Sequence, residues 1–177
     1  MLDGKKIVVA ITGCSAASKA LDVISALRKQ NADVYAAMTE NAAYFVTPIM
    51  VQRSVKHPIQ SEAFTLPVIW DKEHQSLTYK TDLLLIAPAS ADILGKAANG
   101  IADDLVSTTI LSIRGPKVIA THINNMMYTS PSVQRNVKTL KEDGFVFVEN
   151  TDTEHSSFFP STQQIVETVL HVLDPQG

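Results

Sequence analysis

Short stretches of this chain carry side chains that could do chemistry, and each directly follows an apolar run. TGCSAASK (12–19) presents Gly13, Cys14 and Ser15 ahead of a helical pattern; AMTE presents Thr39; APASADI presents Ser90, Ala91, Asp92 and Ile93; THINNMMY presents His122, Asn124 and Met127. The first has a single glycine. It is therefore neither a Walker loop, which needs a second Gly and a Lys-Ser/Thr pair, nor a G-x-G-x-x-G dinucleotide turn. It still sets Gly13, Cys14 and Ser15 at a helix N-terminus, where free amides and the helix dipole favour an anion, and a monophosphate suits it. Thr39 and Ser90 could add hydroxyls to such a site or simply cap helices. Asn124 could fix a carboxylate by hydrogen bonds or serve as a turn residue. Met126, Met127 and Tyr128 could line a flat cofactor, although Met also fills gaps in cores.

Other reactive types are more isolated. His74, in DKEHQSL, reads as an acid, a base or a carboxylate anchor, or else as a solvated loop residue. His57, His155 and His171 show no metal-ligand spacing. Cys14 is the single cysteine, which excludes an internal disulfide framework and a Cys-based zinc site and fits a reducing cytosol. At a helix start its pKa could be lowered, but a lone thiol without an evident partner is weak evidence for a nucleophile.

The elements that must position these residues follow from periodicity. KIVVAIT (6–12) is a continuous β-branched run, as expected of a strand covered on both faces. Ala16, Ala20, Val23, Ile24 and Leu27 then recur at helical spacing over 15–30, with Arg28 and Lys29 complementing the dipole in the last turn. Further strands are expected at 33–39, 81–88, 117–123 and 145–150. Helices are expected from Glu40, over 48–55, over 92–102 with a Gly at its end, over 105–113 as another helix or a continuation, over 130–144 with Ser130 as cap and Pro131 at the first position, and over 161–173. Residues 57–76 lack a clean period and read as a loop with at most one short strand. Strands alternating with helices predict a single α/β domain over 1–177: an open parallel sheet with helices on both faces. In such sheets ligands sit beyond the carboxyl ends of the strands, where strand order reverses. Gly13 to Ser15, Thr39, Pro88 to Asp92 and Thr121 to Asn124 all follow strands and are the candidates there.

Composition narrows the classes. The chain has 177 residues, enough for one domain with a substantial core, and a formal net charge of -3. Its fifteen Lys and Arg are scattered, so no nucleic-acid footprint is expected. The apolar run near the N-terminus is too short for a signal or a membrane span, and a cytoplasmic protein without membrane contact is expected.

Taken in order and at their separations, ITGCSAASKALDVISALRK, AAMTENAAYFVTP, HQSLTYKTDLLLIAPASADILGKAANGIADDLVST and INNMMY resemble the flavin-dependent cysteine decarboxylases. That family includes phosphopantothenoylcysteine decarboxylase, the lantibiotic enzymes that decarboxylate a peptide's C-terminal cysteine, and Hal3-type proteins. The resemblance covers about residues 5–144. It implies a Rossmann-like flavoprotein fold and FMN, with FAD less expected. Gly13, Cys14 and Ser15 match its phosphate loop G-S-I-A-A-Y-K, and Thr39 falls on a position near the phosphate. Ser90, Ala91, Asp92 and Ile93 match P-A-S-A-N-T, which packs on the flavin. Phe45, Ser107 and His122 complete the implied cofactor contacts. His74 with Leu77 fits the H-I-x-L pattern of the catalytic histidine. Asn124 matches the substrate-binding asparagine of P-x-M-N-x-x-M-W, and Asp92 and Met127 join the implied substrate contacts.

In this family oxidised flavin removes two electrons from the Cα–Cβ–S unit of cysteine, and the thioaldehyde so formed loses CO2 to leave an enethiol. The resemblance further implies a peptide or small-molecule substrate containing cysteine, and assembly as a homotrimer or a dodecamer built of trimers. The chain departs from the family's motifs in places. P-A-S-A-N-T is PASADI here, P-x-M-N is THIN, and Tyr128 stands for Trp. Residues 145–177 also contain no Cys, whereas the phosphopantothenoylcysteine enzymes reduce their intermediate with one. A peptidyl-cysteine decarboxylase is therefore the leading expectation. A phosphopantothenoylcysteine decarboxylase of coenzyme A biosynthesis is the alternative, and a non-catalytic Hal3-like FMN-binding subunit a third. Asp103 and Asp104 fall on the family's A-N-D-L segment, which takes the place of a metal pair.

Overall fold

A computed structural model describes residues 1–59, 77–150 and 158–174. The strands are β1 (Lys6–Ile11), β2 (Asp33–Met38), β3 (Leu83–Ala89), β4 (Lys117–Thr121) and β5 (Val146–Phe147). They form one parallel sheet in the order β2-β1-β3-β4-β5. After β1 the chain moves outward to β2, then returns to the other side of β1 for β3. Strand order therefore reverses between β1 and β3. Their carboxyl ends open a crevice at that point, where open α/β sheets place their ligands.

The continuous apolar character of the strands reflects burial on both faces. Alternate residues of β1 face opposite ways. Ile7, Val9 and Ile11 pack with α1 (Ala20–Lys29), α2 (Pro48–Val55) and α7 (Thr162–Leu173). Val8 and Ala10 pack with α3 (Ala91–Ala98), α4 (Leu105–Ser112) and α6 (Pro131–Glu142). Truncating a side chain such as Leu85 in this core costs about 2 to 5 kcal/mol.

Several element ends differ from the periodicity. The first helix does not begin at 15: a 3-10 turn over Ala17–Lys19 precedes α1, leaving 13–16 as a loop. The piece from Glu40 is a 3-10 turn over Glu40–Tyr44, and α2 follows separately as expected, because Thr47 is extended ahead of Pro48. Over 92–113 the separate-helix reading holds: the first helix stops at Asn99 and Gly100, the latter at φ 66°, and the second starts behind Asp104. Only Val146 and Phe147 of 145–150 pair with the sheet. A one-turn helix, α5 (Asn125–Tyr128), follows β4 and has no counterpart in the pattern because a single turn has no period. Ser130 caps α6 with Pro131 in its first turn, as expected. His74 lies outside the described residues.

Candidate functional site

The crevice is built by loops stitched together at the carboxyl edge. Thr12, buried just past β1, is the central stitch: its hydroxyl donates to the Pro88 carbonyl at 2.7 Å and accepts the Ser90 N–H at 2.9 Å. Pro88 has no N–H for the sheet, and the β3–β4 register slips by a residue between Ile86 and Ala89 around it. The Thr39 N–H donates to Ile11 O at 3.0 Å, and the His122 N–H to Ala89 O at 3.0 Å. Gly13 is required by close approach. A Cβ there would lie 2.5 Å from the Asn41 Cβ and 2.8 Å from its carbonyl carbon, so only glycine lets the β1 and β2 loops meet.

Side chains within this frame have distinct tasks. Thr39 caps the 3-10 turn by accepting the Ala42 N–H, and Ser90 caps α3 by accepting the Ile93 N–H. Both hydroxyls thus use their acceptor side for capping and keep an O–H to donate. Ser15 is exposed, and its Oγ lies 3.0 Å from Nε2 of His122. Asn124 caps α5 through Oδ1, which accepts the Met126 N–H at 2.9 Å and leaves its Nδ2 hydrogens to donate. Phe45 and Met127 are exposed on the same edge, together with Tyr44 and Met126. Ala91 is half-buried at the start of α3; Ile93 packs inside the core and presents no side-chain surface to the crevice. Cys14 is half-buried, which raises its thiol pKa, while a hydrogen bond from the Ala16 backbone N–H partly offsets this.

The carboxylates gather elsewhere. Lys96 Nζ meets Asp104 at 2.7 Å, Asp103 at 2.9 Å and Asp92 at 3.6 Å. Hydrogen bonding to Asp104 raises the ammonium pKa, burial works against it, and Asp103 adds to the rise. Asp104 is pushed up by burial but pulled below its usual value by Lys96 and Ser107. Ser107 is buried in a reciprocal capping box with Asp104 at the start of α4. Asp104 in turn pairs with Lys96, which reaches Asp92 at the start of α3. No group of three or more His, Cys, Asp or Glu among the described residues could hold a metal ion. No helix among them is long and apolar enough to cross a membrane.

Thr12 and Lys96 are the residues that sequence reasoning missed. The spacing of Asp92 and Lys96, four apart on a helix, was a usable signal. Thr12 gave none, since a Thr closing a β-branched run looks like more strand.

A phosphate-bearing group fits these residues. The loop 13–16 is short and built from small residues ahead of a helical turn, the Ser15 hydroxyl is exposed, and Lys19 supplies positive charge one turn on. Comparison with known proteins agrees. The family model described as Flavoprotein matches residues 1–174. The coenzyme A biosynthesis bifunctional protein CoaBC of Bacillus subtilis is 36% identical over 152 residues, covering 86% of this chain and 37% of that protein. The chain thus spans little more than a third of the length of such curated relatives. Among solved structures, the FMN-dependent cysteine decarboxylase SpaF is 27% identical with a TM-score of 0.76, covering 96% of this chain and 99% of that one. HAL3 from Cryptococcus neoformans is 26% identical with a TM-score of 0.73, each chain covered to 94%. The chain belongs to the Flavoprotein family.

Proposed function

We propose that this chain binds FMN in the β1–β3 crevice and decarboxylates a cysteine carboxylate, with phosphopantothenoylcysteine as substrate. The observation that carries the reading is the stitched crevice at the strand-order reversal, with its phosphate-sized loop at Gly13–Ala16. The choice of substrate is supported by the CoaBC relatives, named for coenzyme A biosynthesis, which at 36% are more similar in sequence than the FMN-dependent cysteine decarboxylase SpaF at 27%. This reverses the order expected from the sequence, where the absence of Cys in 145–177 favoured a peptide.

When bound, the flavin would take two electrons from the cysteine Cα–Cβ–S unit, so that the carboxylate can leave as CO2. The chain's own residues do the rest. Amides of Gly13, Cys14 and Ser15, with the hydroxyls of Ser15 and Thr39, hold the phosphate. The small Ala89 and Ala91 beside Ser90 let the ring approach the backbone. The Nδ2 hydrogens of Asn124 hold the substrate's polar end, and His74 removes its proton. Exposed Tyr44, Phe45, Met126 and Met127 on this edge suit a contact with further copies of the chain in a trimer.

The purified protein should be yellow and release FMN on denaturation. Phosphopantothenoylcysteine should lose CO2 and two hydrogens by mass spectrometry, and His74→Asn should abolish this while FMN stays bound. Protein that stays colourless after incubation with FMN would sink the reading. Turnover only of peptides ending in Cys would restore the peptide alternative.

A further inference from the structure

His122 stands at the second position of THIN, at the end of β4, and its ring is committed on both nitrogens. Nδ1 accepts the Phe159 N–H at 3.1 Å, and Nε2 lies 3.0 Å from Ser15 Oγ. The ring also packs against Phe158, with centroids 5.7 Å apart. An imidazole accepting at Nδ1 carries its single proton at Nε2 when neutral. Partial burial and the nearby charge of Lys19 both favour that neutral form. Nε2–H therefore donates to Ser15, and the serine oxygen is the acceptor. Its own O–H is left without that use, on an exposed side chain beside the loop amides.

We propose that His122 is a positioning residue, which acts through Ser15 by turning its hydroxyl into a dedicated donor to a phosphate held at the first loop. The inference rests on the FMN reading of that loop. A side chain that merely tied β4 to the segment before α7 would need the Phe159 bond and not the Ser15 bond. The two are separable by substitution. Asn at 122 keeps an acceptor near the Nδ1 position and lacks the donor to Ser15, whereas Gln places an amide N–H near the Nε2 position.

The test titrates the full-length apoprotein with FMN and with riboflavin, which lacks the phosphate, by flavin fluorescence. His122→Asn and Ser15→Ala should each weaken FMN about tenfold, the scale of one hydrogen bond to a charged group, and leave riboflavin unchanged. The double variant should be no weaker than either single one, and His122→Gln should retain most of the affinity. Equal losses for FMN and riboflavin, no loss at all, or additive losses in the double variant would each overturn the proposal. Imidazole 15N shifts of the flavin-free protein provide a readout independent of cofactor: Nδ1 should be of the unprotonated type and Nε2 of the protonated type, and the opposite assignment overturns it. If the wild type binds neither flavin, the proposed function fails on its own. The inference is then decided with inorganic phosphate, which should perturb the Ser15 amide in the wild type and not in His122→Asn; no perturbation in the wild type would overturn it too.

Discussion

Buried hydroxyls and rings at the strand ends decide the shape of this crevice more than the residues one would pick for reactivity. Thr12 shows this: its Oγ satisfies the Pro88 carbonyl and the Ser90 amide at once, away from solvent. Thr12→Val keeps the shape but leaves the Ser90 amide unmatched, while the Pro88 carbonyl keeps the residue-12 backbone N–H at 3.3 Å and loses the hydroxyl. It should lower stability by about 2 to 3 kcal/mol in urea titrations and weaken FMN, whereas Thr12→Ser should lose less than half of that. A Val variant as stable as the wild type would show that the stitch is dispensable. The sequence made Ser15, Thr39, Ser90 and Asn124 visible because polar residues at the ends of apolar runs stand out. Thr12 stayed hidden, because its β-branched side chain satisfies the strand pattern while its hydroxyl works across β1 and β3.

At the scale of elements, α3 and α4 show how one cation organises a helix pair. The chain between them turns through Gly100, and the carboxylates on either side converge on the largely buried Lys96. Asp104 both caps α4 and faces this ammonium, so cap and ion pair support each other. Lys96→Met should destabilise the protein by about 1 to 2 kcal/mol at pH 7, since Asp103 and Asp92 are well exposed and add little beyond the Asp104 contact. A change below about 0.3 kcal/mol in the urea midpoint analysis would refute this. The sequence left open whether a second helix or a continuation follows here, because the apolar period runs through residue 113. The break comes from a left-handed Gly100 and a capping box, local devices that override the period.

For the whole molecule, pH links the crevice to folding. The folded protein disfavours charged His122, first by burial and second through Lys19; the carboxylates of Asp22 and Glu167 line the same cleft of about 750 Å3 from α1 and α7. Its pKa is thus lowered from the ordinary 6.5, and below that value the unfolded chain binds more protons than the folded one. The contribution is complete above the ordinary value and is lost as pH falls through the depressed one. Wild-type stability should therefore fall more steeply than that of His122→Gln between about pH 7 and about pH 5, measured by urea titration. Parallel curves would contradict the assignment. The amino-acid sequence by itself determined the alternation of strands and helices, the doubly covered sheet and the edge on which reactive residues collect, because period and strand-end polarity are local properties. The tertiary structure alone decided which of those residues meet. Gly13 against Asn41, Thr12 between Pro88 and Ser90, His122 between Ser15 and Phe159, and Lys96 among the carboxylates are contacts set by strand order and helix breaks. Partners far apart in the chain leave no periodic trace in it.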